Sequence, residues 1–141
     1  MTATTRSWRE LGRQKVPARP DAGIWTPVLD YVTGPVVLRI TASGTWRPVG
    51  GLDACGGDGY RRWAFGRDAL LTKKAPLGAL IGKFGGSNAG GTDDGDIFPV
   101  GTHAVLTVEK PTGPLYLTIN DAPGAFDDNS GDIEVVVEQA E

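Results

Sequence analysis

Four short segments in which apolar and polar residues alternate place the strongest constraint on the fold. In the first of them, Val36, Leu38 and Ile40 would share one face of a strand, because successive side chains of a strand point to opposite sides. All four are rich in β-branched or aromatic residues and are bounded by Gly, Pro, Asn or Asp, which favour turns. The segments are 36–42, 103–109, 115–120 and 133–138. This pattern predicts an all-β fold, an antiparallel β-sandwich of jelly-roll type.

The rest of the chain adds weaker elements to this framework. Segments 24–31 and 79–84 could be further strands, and residues 7–15 are the only candidate for a short helix, although they lack an apolar stripe. At 141 residues the chain has the size of one domain. We therefore divide it into an N-terminal extension, residues 1–15, and a β-sandwich domain, residues 16–141. The basic extension would be a flexible arm or an interface strand.

Charge is distributed unevenly along the chain. The net charge is −3, but residues 92–141 contain one Lys/Arg against 11 Asp/Glu. Such an acidic part could attract a cation, or it could simply be solvated. The basic residues of the first part are not interleaved with aromatic residues along one stretch, so we expect no nucleic-acid partner.

Targeting and redox signals are not visible in the sequence. The first nine residues contain no apolar run of the kind found in signal peptides, and no stretch approaches the roughly 18 apolar residues of a membrane span. Cys55 is the only cysteine, which excludes an intramolecular disulfide and a cysteine-rich metal site. We expect a protein that is made in the cytoplasm, does not insert into membranes, and could be released without a signal peptide.

The connection between the last two strong strands, residues 120–131, is the most informative loop, and we call it the acidic loop. It is longer than the roughly 2–5 residues that a hairpin needs. It contains Asp121, Asp127, Asp128 and Asn129, and carboxylates held close together repel unless a cation lies between them. Calcium binds roughly 6–8 oxygens from carboxylates, amides and carbonyls, all of which this loop offers. The spacing is not that of an EF-hand, and a solvated acidic loop is the alternative.

Segment 119–131, with the sequence INDAPGAFDDNSG, resembles the calcium loop of the bacterial galactophilic lectin family, the LecA or PA-I type. Segment 78–85, GALIGKFG, is similar to a strand of that family, and segments 98–101 and 41–44 also fit it. The resemblance runs in order from about residue 16 to residue 137. It implies a β-sandwich of the galactose-binding-domain type that binds one Ca²⁺ and, through it, the vicinal 3- and 4-hydroxyls of galactose or galactosides.

The resemblance also implies roles for individual residues. Asp121, Asp128 and Asn129 would bind calcium by side-chain oxygens, and Ala125 and Pro48 by backbone carbonyls, with a neighbour of Pro48 equally suitable. The family has asparagine at position 128, and a second carboxylate there should bind calcium more strongly. The residues implied for sugar contact are Asp121, Ala122, Ala125 and Asp128, and from a segment without a clear match in the family Asp58 and Tyr60 could also contact the sugar. The family's His and Gln contacts to the sugar 6-hydroxyl have no recognisable match here, although Asp53 or Trp63 could line that side.

Two other classes of function compete with a lectin. A structural or protein-interaction sandwich would keep the calcium and bind no sugar. An enzyme would need an activated nucleophile, but His103 with Ser130 is the only Ser–His pairing and no Gly-x-Ser-x-Gly motif is present. Asp127 and Asp128 are neighbours, which suits a metal better than the two opposed carboxylates of a glycosidase. The sequence thus predicts a non-enzymatic lectin, with galactose-type glycans as partners and homo-oligomerisation as a source of avidity.

Overall fold

The alternating segments pair across the chain into two antiparallel sheets. The computed structural model describes residues 7–61 and 67–141, and within these ranges it contains strands and short 3-10 turns but no α-helix. The strands are β1 (Trp8–Pro17), β2 (Thr26–Leu29), β3 (Val36–Ser43), β4 (Trp46–Arg47), β5 (Leu80–Phe84), β6 (Phe98–Pro99), β7 (His103–Val108), β8 (Leu115–Ile119) and β9 (Ser130–Ala140). The 3-10 turns are Arg67–Ala69, Asp94–Asp96 and Phe126–Asp128.

The two sheets have different sizes and strand orders. The larger sheet has the order β1-β9-β3-β7, and the short strand β4 also pairs with the beginning of β9. The smaller sheet has the order β2-β8-β5-β6. Leu38 pairs with Leu106 on one side and with Gln139 on the other, so β3 lies inside the larger sheet. This arrangement confirms the antiparallel β-sandwich that the alternating segments predict.

The hydrophobic core lies between the sheets and is built from the alternate positions of the strands. Each fully buried aliphatic side chain contributes roughly 1.5–3 kcal/mol of transfer free energy. The fully buried aliphatic residues include Val16, Leu38, Ile40, Leu80, Leu115, Leu117, Ile119 and Ile133. These positions agree with the faces predicted for β3, β8 and β9.

The N-terminal segment differs most from the expectation. Residues 8–15 belong to β1, which pairs with β9 from Trp8↔Ala140 to Pro17↔Asp132, and they form no helix. The boundary drawn at residue 15 therefore falls inside a strand of the sandwich. β9 otherwise has a free edge, and the backbone pairing it offers outweighs the weak helical preference of this segment. In the described part of the chain, no helix is long and apolar enough to cross a membrane.

Candidate functional site

The acidic loop begins where β8 ends, and Asn120 fixes its first residues. The side-chain amide of this buried residue donates to the carbonyls of Thr72, Ala75 and Pro76 at 3.1, 2.9 and 3.2 Å, and its Oδ1 accepts from the Thr72 amide at 3.1 Å. The carbonyl of Asp121 accepts from the Leu71 amide at 3.1 Å. Asn120 and Asp121 are thereby held against residues 71–76, in the connection between β4 and β5. The fold therefore sets the direction of the Asp121 side chain.

A 3-10 turn gives the second half of the loop its shape. Phe126 is buried and anchors the turn, and its carbonyl accepts from the Asn129 amide at 3.1 Å. The side-chain amide of Asn129 donates to the Ala18 carbonyl at 2.9 Å, and Arg19 donates to the Asp127 carbonyl at 3.2 Å. The chain segment after β1 therefore holds the turn and orients the Asn129 side chain.

The two halves of the acidic loop form two walls of the site, and the segment that follows β4 forms the third. Trp46 pairs with Gly131 and Arg47 with Ser130, so this segment runs beside the end of the acidic loop. Three residues further on, the Gly50 amide lies 3.4 Å from Asp128 Oδ2. Pro48 lies between these two contacts and is buried. The pairing thus brings Pro48 and its neighbours next to Asp128.

Gly78 lies beneath these walls and joins them. Its amide donates to the Asn120 carbonyl at 2.9 Å, and its carbonyl accepts from Trp46 Nε1 at 2.7 Å. Its φ angle is 86°, and a Cβ there would lie 2.8 Å from Cys55 Sγ. Only glycine satisfies both the backbone conformation and the close approach at this position.

Two oxygens at the centre of the site lack hydrogen-bond partners. Asp121 and Asn129 are each 4% exposed, and within the described residues neither Asp121 Oδ2 nor Asn129 Oδ1 accepts a hydrogen bond. A buried acceptor without a partner costs roughly 1–3 kcal/mol, and more if it is charged. Asp128 and Ala125, by contrast, are exposed. The loop thus combines buried, unpaired oxygens with an open side.

Burial changes the acidity of the Asp121 carboxyl group. The pKa of this group is raised from 3.8 to about 6, chiefly by desolvation, with the negative charge of Asp128 contributing to the rise. The Ala122 amide, which donates to Asp121 Oδ1 at 2.7 Å, and the Asn129 side chain partly offset this rise. A bound cation is the partner that would favour the ionised form here.

The donor set around these oxygens consists of hard ligands. Carboxylate, amide and carbonyl oxygens suit Ca²⁺, whereas sites for transition metals are built mostly from His and Cys. In residues 7–61 and 67–141, no three His, Cys, Asp or Glu side chains come together to hold a metal. The site therefore has two carboxylates, Asp121 and Asp128, and its other oxygens come from Asn129 and the backbone. The residues present fit calcium.

Four of the predicted sugar contacts lie in the acidic loop, and the other two, Asp58 and Tyr60, lie outside it. Asp121, Ala122, Ala125 and Asp128 lie in one loop, as required. The Asp58 carboxylate accepts from the Thr102 amide at 3.0 Å, so its contacts lead to another turn.

Tyr60 is also engaged within the fold. Its hydroxyl donates to the Asp53 carbonyl, and its amide donates to the Leu77 carbonyl at 2.9 Å. Trp63, the other aromatic candidate, lies outside the described residues.

Several residues that shape the site carry no signal in the sequence pattern. Ala18 and Gly50 act through a backbone carbonyl and a backbone amide, which any residue type supplies. The sequence does give a signal for Asn120, because it is a polar residue at the end of an alternating apolar segment. Its partners at 72–76, however, come from a segment without recognisable periodicity.

Comparisons with known proteins agree with this fold. The family model described as "PA-IL-like protein" matches residues 8–141. Among solved structures, the chain is similar to one titled "EclA N-terminal domain; PllA-like lectin", with a TM-score of 0.64 and 20% sequence identity. That match covers 93% of this chain and 98% of the other, and at this identity it shows a shared fold. No curated protein matches. Because the family model covers nearly the whole chain, the chain belongs to the PA-IL-like family, the lectin family that its acidic loop resembles.

Proposed function

We propose that this chain is a calcium-dependent lectin that recognises galactose or galactosides at the acidic loop. The observation that carries the proposal is the pair of buried oxygens, Asp121 Oδ2 and Asn129 Oδ1, which have no hydrogen-bond partner among residues 7–61 and 67–141. A folded protein rarely leaves a carboxylate oxygen buried and unpaired, unless an ion or water completes the site. Membership of a lectin family and the lectin title of the structural neighbour support the carbohydrate part.

The proposed calcium ligands are drawn from all three walls of the site. Asp121 and Asn129 are held by buried contacts, so their oxygens are positioned before the ion arrives. Asp128 adds a second carboxylate from the exposed side, and Ala125 and Pro48 add backbone carbonyls. When bound, the ion would supply free coordination positions for two vicinal hydroxyls of a sugar. Asp121 and Asp128 would also accept hydrogen bonds from these hydroxyls, with Ala122 and Ala125 lining the sugar.

The Asp121→Ala substitution tests this function on galactose-agarose. The native chain should be retained with calcium and released by EDTA, whereas Asp121→Ala should not be retained under either condition. The variant should stay folded, because the substitution removes a carboxylate whose burial is costly. Circular dichroism and calorimetric calcium titration would establish folding and loss of the ion together.

Asp127→Ala is the matched control for this experiment. Asp127 lies in the same loop and carries the same charge, but its side chain is exposed and its described contact is the carbonyl that binds Arg19. It should be retained like the native chain. Calcium-dependent retention of Asp121→Ala would sink the proposed site, and equal loss in both variants would mean that only loop charge matters.

A calcium-stabilised structural sandwich without sugar binding is the second candidate. It is favoured by the contacts of Asp58 and Tyr60, which are both committed to holding other loops. Calcium would then raise the thermal stability of the chain, yet galactose-agarose would not retain it.

A hydrolase is the least supported function, and we propose that the chain is not an enzyme. Homo-oligomerisation would raise the avidity of weak single sites for clustered galactosides.

A further inference from the structure

A second concave site lies near the end of β5 that is remote from the acidic loop. Leu80, at the start of this strand, pairs with Ile119 beside the acidic loop, whereas Phe84 at its end pairs with Leu115. These two positions are about 13 Å apart at roughly 3.3 Å per residue. Beyond Phe84 the chain enters a glycine-rich loop, residues 85–96, that borders an open cavity of about 330 Å³. This volume is at the lower end of the roughly 300–1,000 Å³ of small-ligand pockets.

Lys83 holds the walls of this cavity in place. It is 3% exposed, and its Nζ donates to the Ser87 carbonyl and to Thr92 Oγ1, both at 2.7 Å. The same ammonium group lies 4.8 Å from the centroid of the Trp25 ring, a cation–π contact. The two sides of the loop are thereby tied to one buried cation, so the cavity is formed before any ligand enters.

The lining offers many hydrogen-bonding groups and little net charge. Four of its ten residues are glycines, whose backbone groups no side chain covers. The other six are Lys83, Phe84, Ser87, Thr92, Asp93 and Asp96. Hydroxyls and backbone amides can donate, carboxylates can accept, and the half-buried Phe84 adds an aromatic ring. This mixture suits a ligand that carries many hydroxyl groups.

Ions fit the cavity poorly. An anion would meet Asp93 and Asp96, and the only cation in the lining is already occupied by two acceptors. A cation would find one Asp93 oxygen engaged with the Gly95 amide at 3.0 Å, and the described residues offer no third metal-binding side chain. The polar lining also disfavours an apolar ligand. A neutral ligand with many hydroxyl groups is the class that these hydrogen-bonding groups match best.

We propose that this cavity is a second saccharide subsite, which binds a single neutral hexose unit without calcium. The proposal rests on the cavity alone and would hold even if the acidic loop bound no sugar. Asp96 would accept hydrogen bonds from hydroxyls of the hexose, and the glycine-rich loop would donate to others. With a site near each end of β5, one chain could contact two sugar units of a branched or clustered glycan.

NMR titration of the ¹⁵N-labelled chain in EDTA tests the proposal. The probes are methyl glycosides of glucose, mannose and galactose at millimolar concentrations, the range expected for weak single sites. At least one should produce saturable shifts of the amides of residues 85–92 and of the Trp25 indole N–H. The Asp96→Ala variant should weaken this binding roughly tenfold, because a hydrogen bond to a charged group is lost.

Control variants distinguish binding in this cavity from binding elsewhere and from misfolding. Asp30→Ala removes an exposed carboxylate outside the cavity and should leave the titration unchanged. Asp96→Asn keeps the shape of the side chain, so its weakened binding would show that any Asp96→Ala effect does not arise from misfolding. The proposal is overturned if no glycoside gives saturable shifts, if Asp96→Ala and Asp96→Asn bind like the native chain, or if phosphate or calcium alone saturates these amides.

Discussion

At the scale of single residues, the acidic loop divides its polar side chains between two tasks. Asn120 is fully satisfied by four hydrogen bonds and serves the fold, whereas its neighbour Asp121 keeps one oxygen unpaired. Asn129 combines both tasks, because its amide nitrogen binds Ala18 while its oxygen is unpaired. The side chain of Asp128 is instead exposed, so position 128 is where charge can change with the least effect on folding.

Replacing Asp128 by asparagine should therefore preserve the site and weaken it. The amide oxygen remains a calcium ligand, but one negative charge next to the ion is lost. We expect calcium affinity to fall by roughly tenfold, because the attraction between the ion and that charge is lost, and calcium-dependent retention on galactose-agarose to persist. Calorimetric calcium titration measures the change. Complete loss of retention in Asp128→Asn would contradict the ligand assignment.

The Cys55 thiol should be unreactive in the folded chain. Burial raises its pKa from 9.0 to about 11, and the side chain is 8% exposed. Because the thiolate is the reactive form, only about a thousandth of the thiol is ionised at pH 8. A chromogenic disulfide reagent should react slowly with native protein and fast in urea, and native reactivity should rise with pH toward 11. Rapid reaction of the native chain at pH 8 would show that Cys55 is not buried.

At the scale of elements, clear alternation predicted β3, β7, β8 and β9, and the weaker strand segments 24–31 and 79–84 contain β2 and β5, whereas β1, β4 and β6 were not predicted. β3, β7, β8 and β9 are long enough for a period of two to emerge, and their buried faces are the predicted ones. β4 and β6 have two residues each, too few for any period. β1 lies at the edge of the larger sheet, and most of its side chains are exposed. Its sequence therefore lacks the alternation that burial of one face imposes on a strand.

The same limit applies to the site. Contacts made by side-chain oxygens could be predicted from the sequence, whereas contacts made by backbone groups could not. The carboxylates and amides of the acidic loop stood out because each contributes a side-chain oxygen. The segment after β4 reaches Asp128 through the Gly50 amide, and β4 itself pairs with β9 through backbone groups. Backbone contacts of this kind leave no residue preference, so sequence alone could place Pro48 only by resemblance.

The connection between β8 and segment 72–76 should be a stabilising clamp. Asn120→Ala removes four hydrogen bonds and leaves buried backbone groups unpaired, which we expect to cost about 2–4 kcal/mol. Urea unfolding of the calcium-free chain measures this loss. Gln14→Ala, at an exposed position of β1, should change the free energy of unfolding by less than about 0.5 kcal/mol. Equal midpoints for Asn120→Ala and the native chain would mean that the clamp contributes nothing.

At the scale of the whole molecule, the acidic loop joins parts that are distant in the chain. The Leu71 amide donates to the Asp121 carbonyl, the Asn129 side-chain amide donates to the Ala18 carbonyl, and the segment after β4 lies beside the loop. These contacts come from the segment after β1 and from two parts of the connection between β4 and β5. An ion that binds the folded loop and not the unfolded chain must therefore stabilise the sandwich as a unit.

Calcium should raise the melting temperature of the chain by several degrees. At a concentration 100 times the dissociation constant, an ion that binds only the folded state adds about 2.7 kcal/mol. For a domain of this size, each kcal/mol corresponds to roughly 2–8 °C. Differential scanning calorimetry with calcium and then with excess EDTA measures the shift and its reversal. Asp121→Ala should show no shift, and magnesium should have a smaller effect than calcium, since Mg²⁺ sheds its waters reluctantly.

The position of β9 has a consequence for how the molecule forms during synthesis. This strand lies between β1 and β3 in the larger sheet, although more than 80 residues separate it from either of them in the chain. Until residues 130–140 leave the ribosome, β1 has no partner and β3 can pair only with β7. Both strands then present open backbone edges, which favour association between nascent chains. Release of this segment is thus the step that closes the sheet, and ribosome-bound chains that stop before residue 130 should depend on chaperones to stay unassociated.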